Sequence, residues 1–355
     1  MEKEKCILSV IIPVYQVENY LGKCLESICT QKWYEKIEVL CIYDESHDKT
    51  EEILDQYISR YDNIKKIQGR NRGLSGARND GMKAASGELI WFVDADDWII
   101  ENAIETIWRI YEDKNFDVLV FGTELIPHEK NIPEFYIDSL FTRNVYYDGF
   151  EKKILFGECG AKPFVWRNCY RAEFLSRARV FFNESNPVGE DLAFQLELFP
   201  KASRVIFIDK KLYCYFWKRE GSLQNAYMQN KRFQLEGHIA IIENNTEKWS
   251  LETYSTELWL EYYKWAIDFL SEEIPQVGDE ELNNKTLDAL KNIEKNLSDR
   301  YKLPAFYKKE LKNVKGQMKL HRVSIFFSLQ HALATHDIDV FVSMMRNRII
   351  RRMRG

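Results

Sequence analysis

An apolar run that stops abruptly in three carboxylates constrains this chain more than any other stretch: Glu88 to Trp98 reads ELIWFVDADDW. Leu89 to Val93 is continuously apolar, the signature of a short strand buried on both faces. Asp94, Asp96 and Asp97 follow at its C-terminal end, which in open α/β sheets is where ligands bind. Carboxylates this close repel one another, and a divalent cation relieves the repulsion.

The preceding residues repeat one unit three times. Ile7 to Val14 is a β-branched strand with Pro13 expected at its exit, and Asn19 to Thr30 carries an apolar stripe at helical spacing. Ile37 to Tyr43 is a second buried strand running into Asp44, and Asp48 with Glu51 is spaced as a capping box for a helix to about Arg60. A short strand over Ile64 to Ile67 leads into a loop and helix start, Gln68 to Gly81. That stretch holds four glycines and three arginines, a composition able to bring amides and guanidinium groups close to a phosphate or base. Alternation of this kind predicts an α/β fold with a doubly wound, mostly parallel sheet flanked by helices.

Beyond the aspartates we expect a helix over Glu101 to Glu112, a strand over Asp117 to Phe121, and a loose connection from about Thr123 to Tyr147. Glu190-Asp191 opens a helical stretch, and two short strands, Val205 to Ile208 and Leu212 to Trp217, precede a polar loop. Past Asn225 the pattern is helical. The expected division is therefore 1–224 for an α/β domain and 225–355 for a helical region.

The seven cysteines are scattered, odd in number and never paired as CxxC, which argues against a disulfide framework or a zinc knuckle and suits a reducing cytoplasm. The N-terminal apolar stretch is too short, and too soon broken by Pro13, for a signal peptide or a membrane span. Net charge is −5 although five arginines crowd positions 346–354, so basic charge belongs to the tail and no nucleic-acid partner is expected. In 338–354 Phe341, Val342, Met345, Ile349 and Met353 alternate with those arginines. Such an amphipathic helix either lies on an anionic membrane or packs with a solvated basic face; both readings stand.

Five segments in order, SVIIPVY (9–15), YDESHD (43–48), GLSGARNDG (73–81), FVDADDW (92–98) and GEDLAF (189–194), resemble the inverting family 2 glycosyltransferases of bacterial polysaccharide synthesis, which have the GT-A fold. The resemblance covers about the first 225 residues. It implies that Asp44 accepts a hydrogen bond from uracil N3, that Pro13 and Tyr15 line the nucleotide pocket, and that Arg78 faces the nucleotide. It further implies that Asp94 and Ala95 lie against the ribose or sugar, Asp96 ligates Mn²⁺ or Mg²⁺, and Asp191 is the catalytic base with Glu190 second. Arg219 and Ser222 would contact the diphosphate. The implied donor is a UDP-sugar carrying a hexose or N-acetylhexosamine. The implied acceptor is a glycan or lipid-linked oligosaccharide at the inner face of the cell membrane.

Two departures stand out. The family's usual Asp-Asp-Gly-Ser is Tyr43-Asp44-Glu45-Ser46 here, and Trp217 occupies a position that is basic in many relatives.

Blander readings accompany these. Asp44 alone could cap a turn, Asp97 either caps the next helix or braces the site, and Glu190-Asp191 is also ordinary acid placement at a helix start. The aromatic stripe Trp259, Leu260, Tyr263, Trp265, Ala266, Phe269 is read as core rather than a sugar platform. A catalytically silent nucleotide-sugar binder of the same fold is the alternative to an enzyme. A nucleotidyltransferase would need a glycine-rich loop with a lysine where Pro13-Val14-Tyr15-Gln16 stands.

Overall fold

Strand β1 (Leu8–Val14) is hydrogen-bonded on both sides by parallel neighbours, β2 (Ile37–Tyr43) and β4 (Leu89–Phe92). Its β-branched residues suit that place, and Val10, Ile11 and Ile12 are wholly buried. Pro13 lies within the strand, paired in register with Ile42, rather than at its exit. It is tolerated because pairing with β4 ends at Ile11 and Phe92, so no N–H is required there on the β4 side.

The computed structural model describes residues 6–126, 140, 142–156, 164–186, 188–217, 230–249, 255–277, 279–298, 305, 331 and 333. They fall into two compact units. The first comprises Met1–Glu151, Ala161–Ser185 and Glu190–Glu220, and the second Lys152–Gly160, Asn186–Gly189 and Gly221–Gly355.

In the first unit β3 (Ile64–Gln68) extends the parallel set to the order β3-β2-β1-β4. Helices α1 (Leu21–Cys29), α2 (Thr50–Arg60) and α3 (Gly73–Ala84) make the crossovers. Gly81 of α3 lies against Ile11: a Cβ there would fall 2.3 Å from Ile11 Cγ2, so the helix can approach the sheet this closely only with glycine. After β5 (Trp98–Ile99) and α4 (Ala103–Lys114), the sheet continues with β6 (Val118–Ile126), β7 (Val145–Asp148), β8 (Asn168–Arg171) and β9 (Arg204–Phe216). β8 is antiparallel to both β4 and β6, β9 is parallel to β6, and β5 and β7 are antiparallel to β9.

Three sequence expectations change. The two short strands are one, β9, continuous through exposed Asp209-Lys210-Lys211, where polar side chains hide a backbone that keeps pairing with β6 through a register shift at Gly122. The connection expected from Thr123 begins later, because β6 runs to Ile126, and β7 occupies Val145–Asp148. Asp48 and Glu51 form no capping box: α2 starts at Thr50, Asp48 accepts from the Thr50 and Glu18 amides, and Glu51 accepts from the Tyr43 hydroxyl.

Helices α5 (Ala172–Ala178) and α6 (Glu190–Leu198) complete the described helices that bear on the site. The six described cysteines are free thiols.

In the second unit α7 (Lys231–Lys248), α8 (Thr256–Val277) and α9 (Glu280–Ser298) share an apolar core that includes Leu235, Ile242, Leu290 and Ile293. Trp259, Leu260, Tyr263 and Ala266 are buried, and Trp249 packs 4.9 Å from Tyr262, ring centre to ring centre, so the aromatic stripe is packing surface. The side chain of Phe269 lies outside the described residues, as does the basic tail 338–354. Among the described residues no helix is long and apolar enough to cross a membrane.

Candidate active site

The carboxyl ends of β1 and β2 are laced together by short polar contacts. Ser46 Oγ accepts from the Gln16 amide at 3.0 Å, Thr50 Oγ1 from the Val17 amide, and Glu18 from the Lys49 amide. Gln16 takes a left-handed conformation, φ 48°, to make this turn. Tyr15, just before it, is 52% exposed, whereas Asp44 is buried.

Asp44 Oδ1 accepts from the Asn71 amide at 2.9 Å, and the loop after β3 folds over it at Gly69, whose amide donates to the Tyr43 carbonyl. Asp44 Oδ2 accepts no hydrogen bond among the described residues, leaving an acceptor at the strand end.

At the end of β4 the aspartates separate by environment. The Asp94 amide donates to the Tyr213 hydroxyl, which donates in turn to Asp97 Oδ2 at 2.7 Å, while Asp97 Oδ1 accepts from the Phe216 amide. Asp97 is thus buried between β4 and β9, where it braces the turn. Burial, then the charges of Asp96 and Asp94, push its carboxyl well above the usual range. The same pair of charges adds to burial in raising the Cys24 thiol, whose Sγ lies against the Asp94 carbonyl. Ala95 is buried; Asp94 and Asp96 are half-buried.

Arg78, from α3, draws the remaining acids together. Its Nη2 donates to Asp94 Oδ1 at 3.0 Å, and its Nη1 donates to Glu190 Oε1 at 3.0 Å and Asp191 Oδ1 at 2.5 Å. Asp191 Oδ2 accepts from the Val165 amide at 3.1 Å. Burial pushes the Asp191 carboxyl well above the usual range against the pull of Arg78, and the charges of Glu190 and Asp94 add to the rise. Burial would lower Arg78, but Asp191, Asp94 and Glu190 outweigh it, and the guanidinium stays charged.

Residues 9–169 match the family model described as Glycosyl transferase family 2. The glycosyltransferase GlyA of Streptococcus pneumoniae is 30% identical over 264 residues, covering 68% of this chain but only 37% of GlyA. EpsH of Bacillus subtilis is 30% identical over 270 residues, which is 71% of this chain and 72% of EpsH. The chain belongs to glycosyl transferase family 2. Its fold resembles that of the crystal structure of Staphylococcus aureus TarS 1–349 in complex with UDP-GlcNAc, with a TM-score of 0.66 at 22% identity over 94% of this chain and 89% of that one.

In this family 2 member the structure gathers Asp94, Arg78, Glu190 and Asp191 into one cluster, with Asp96 and Asp97 next to Asp94 in the chain, Tyr15 and Asp44 just past the ends of β1 and β2, and Pro13 within β1. Arg219 and Ser222 lie outside the described residues. The glycine-rich segment does not act as one arginine-lined cradle. Arg72 is bound to Asp80 and Glu184, Arg70 is exposed, and Arg78 points at carboxylates. No group of three His, Cys, Asp or Glu side chains is gathered to chelate a metal by itself among the described residues. The donor chemistry nevertheless fits a hard divalent cation: Asp94 and Asp96 place half-buried carboxylate oxygens at the end of β4.

Sequence reading misses Tyr213, the Val165 amide and Phe182. Nothing local marks them, since Tyr213 looks like any inward residue of β9. Gly69 and Asn79 were visible as part of the glycine-rich stretch, but their partners were not. Asn79 exchanges two hydrogen bonds with the Phe182 backbone, fixing the segment that leads toward Glu190.

Proposed function

We propose that this chain is an inverting, metal-dependent glycosyltransferase. It moves a hexose or N-acetylhexosamine from a UDP-sugar to a hydroxyl of a glycan acceptor, lipid-linked, in the synthesis of a surface polysaccharide at the inner face of the cell membrane. One observation carries the reading: a single buried guanidinium ties Asp94, at the donor end of β4, to Asp191, a carboxylate of raised basicity at the start of α6.

The chemistry follows from those positions. An alcohol is a weak nucleophile until its proton is taken, and Asp191 is the group to take it as the oxygen attacks the anomeric carbon. The bond to the nucleoside diphosphate breaks on the opposite face, so configuration inverts in one displacement. Asp44 holds the uracil N3–H on its spare oxygen, beside Pro13 and Tyr15, and Asp94 with Ala95 abuts the ribose or sugar. Asp96 would hold a divalent ion, Mn²⁺ or Mg²⁺, which when bound would supply positive charge to the leaving group. Arg219 and Ser222 are assigned to the diphosphate by sequence resemblance alone. Residues 1–224 form the catalytic domain and 225–355 a helical region, whose basic segment 338–354 is the part that would meet the membrane. The UDP-GlcNAc complex of TarS, a protein of similar fold, supports the donor class.

The test is a donor panel of UDP-, GDP- and dTDP-sugars with Mn²⁺, read as binding and slow hydrolysis. Only UDP-sugars should bind with micromolar affinity, and Asp96→Ala should abolish the metal dependence. A protein that binds no UDP-sugar, or an Asp96→Ala variant that binds and turns over donor unchanged, contradicts the proposal.

A further inference from the structure

Arg78 is 1% exposed, and both ends of its fork are occupied by protein: Glu190 and Asp191 on Nη1, Asp94 on Nη2. Its flat face is covered by the Phe182 ring, 5.3 Å from the guanidinium carbon. The next residue of α3, Asn79, clamps the Phe182 backbone from both sides, so one turn of helix delivers the cation and its cover together. Nε and the second N–H of Nη2 make no hydrogen bond among the described residues, but at 1% exposure and with Phe182 over its face the guanidinium is walled off from solvent and from a diphosphate arriving through it.

We propose that Arg78 is a positioning residue that orients the Asp191 carboxylate and sets its basicity, and that it makes no contact with the nucleotide. This inference rests on the reading of Asp191 as the base. Each Asp191 oxygen takes one fixed donor, Arg78 Nη1 on Oδ1 and the Val165 amide on Oδ2, which locks the plane of the carboxylate and leaves its other lone pairs for an acceptor hydroxyl. The groups facing Asp191 are Arg78 from α3, Asp94 from the end of β4, Glu190 from its own helix, Tyr170 from β8 and the Val165 amide. Three carboxylates thus share one cation. The balance is delicate, because removing a neighbour of either sign moves the base in a known direction.

A base works when deprotonated, so transfer rises with pH through its pKa, and this rise is the acid limb of the profile. Arg78 favours the charged carboxylate, so Arg78→Gln moves the limb to higher pH, by roughly one unit or more. Glu190 disfavours it, so Glu190→Gln moves the limb to lower pH. Arg78→Lys keeps the charge but loses the fork, so the limb stays near its place while kcat falls by roughly tenfold. In all three the donor KM should stay within about threefold, because none removes a nucleotide contact.

The experiment is the pH profile of kcat with saturating donor, for the full chain and these variants. Opposite displacements in Arg78→Gln and Glu190→Gln support the proposal. Displacement in the same direction, no displacement, or an Arg78→Lys variant whose loss is all in donor KM overturns it. If Arg78→Gln does not fold, Glu190→Gln and Arg78→Lys decide the matter. An Asp191→Asn variant that still transfers sugar would remove the underlying assignment of the base, an outcome distinct from unmoved limbs in an enzyme that needs Asp191.

Discussion

Gly69 sits so close beneath Asp44 that a Cβ on it would fall 2.1 Å from Asp44 Oδ1. The neighbours of such a Cβ are the Asp44 carboxylate and the Tyr43 carbonyl. The glycine therefore keeps open the space taken by the Asp44 carboxylate, the group proposed to hold the nucleobase. Gly69→Ala should raise the UDP-sugar KM by roughly tenfold, about 1.4 kcal/mol of binding, with kcat nearly unchanged. Steady-state kinetics with UDP-sugar varied would check it; an unchanged KM would mean that Asp44 does not recognise the base.

The Tyr213 hydroxyl joins two strands by donating to Asp97 and accepting from the Asp94 amide. Tyr213→Phe leaves the buried Asp97 oxygen and the Asp94 amide without these partners, a loss of about 1–3 kcal/mol of stability. Urea denaturation of the variant should show a lower midpoint with an unchanged slope. Transfer should also slow, because Asp94 and Asp96 lose the brace behind them.

Close packing of α3 on β1 makes a third prediction. Gly81→Ala inserts a methyl 2.3 Å from Ile11 Cγ2 in the core, so it should destabilise the first unit by about 1–3 kcal/mol. Thermal unfolding would read this, and the donor KM of the folded variant should be nearly normal.

The chain-terminal arginines carry a separate expectation. Deleting residues after Met345 removes all five arginines of 346–354. Flotation with vesicles rich in anionic lipid should show the intact chain bound and the shortened one free, with binding weakened by salt. Equal binding by both would leave the basic face as solvated packing surface.

Much of the first unit is readable from sequence, because its evidence is local. β4 is an unbroken apolar run, β1 and β2 are apolar runs broken only by Ser9 and Glu38, α1 shows its buried stripe at Leu21, Cys24, Leu25 and Ile28, and the acids stand where the runs end. What escapes depends on partners far along the chain. Arg78 and Asp191 are 113 residues apart, and Tyr213 is 116 from Asp97. Nothing around Arg78 in the sequence marks the carboxylates that gather on it in the fold. β9 escapes for another reason, since Asp209-Lys210-Lys211 interrupts the apolar pattern while the ladder with β6 continues through a bulge. Pro13 misleads in the same way, its cost being removed by the early end of the β4 ladder.

If Asp191 activates the acceptor while the strand ends bind the donor, one pair of assays on a single variant shows it most directly. Asp191→Asn keeps the size of the side chain and, through its one carbonyl oxygen, one of the two hydrogen bonds from Arg78 and the Val165 amide, but removes the base. Transfer to acceptor should fall by at least roughly a thousandfold, on the scale expected for losing a general base, while UDP affinity measured by calorimetry stays within about threefold. Transfer that persists in Asp191→Asn, or UDP binding that collapses along with it, would contradict the account.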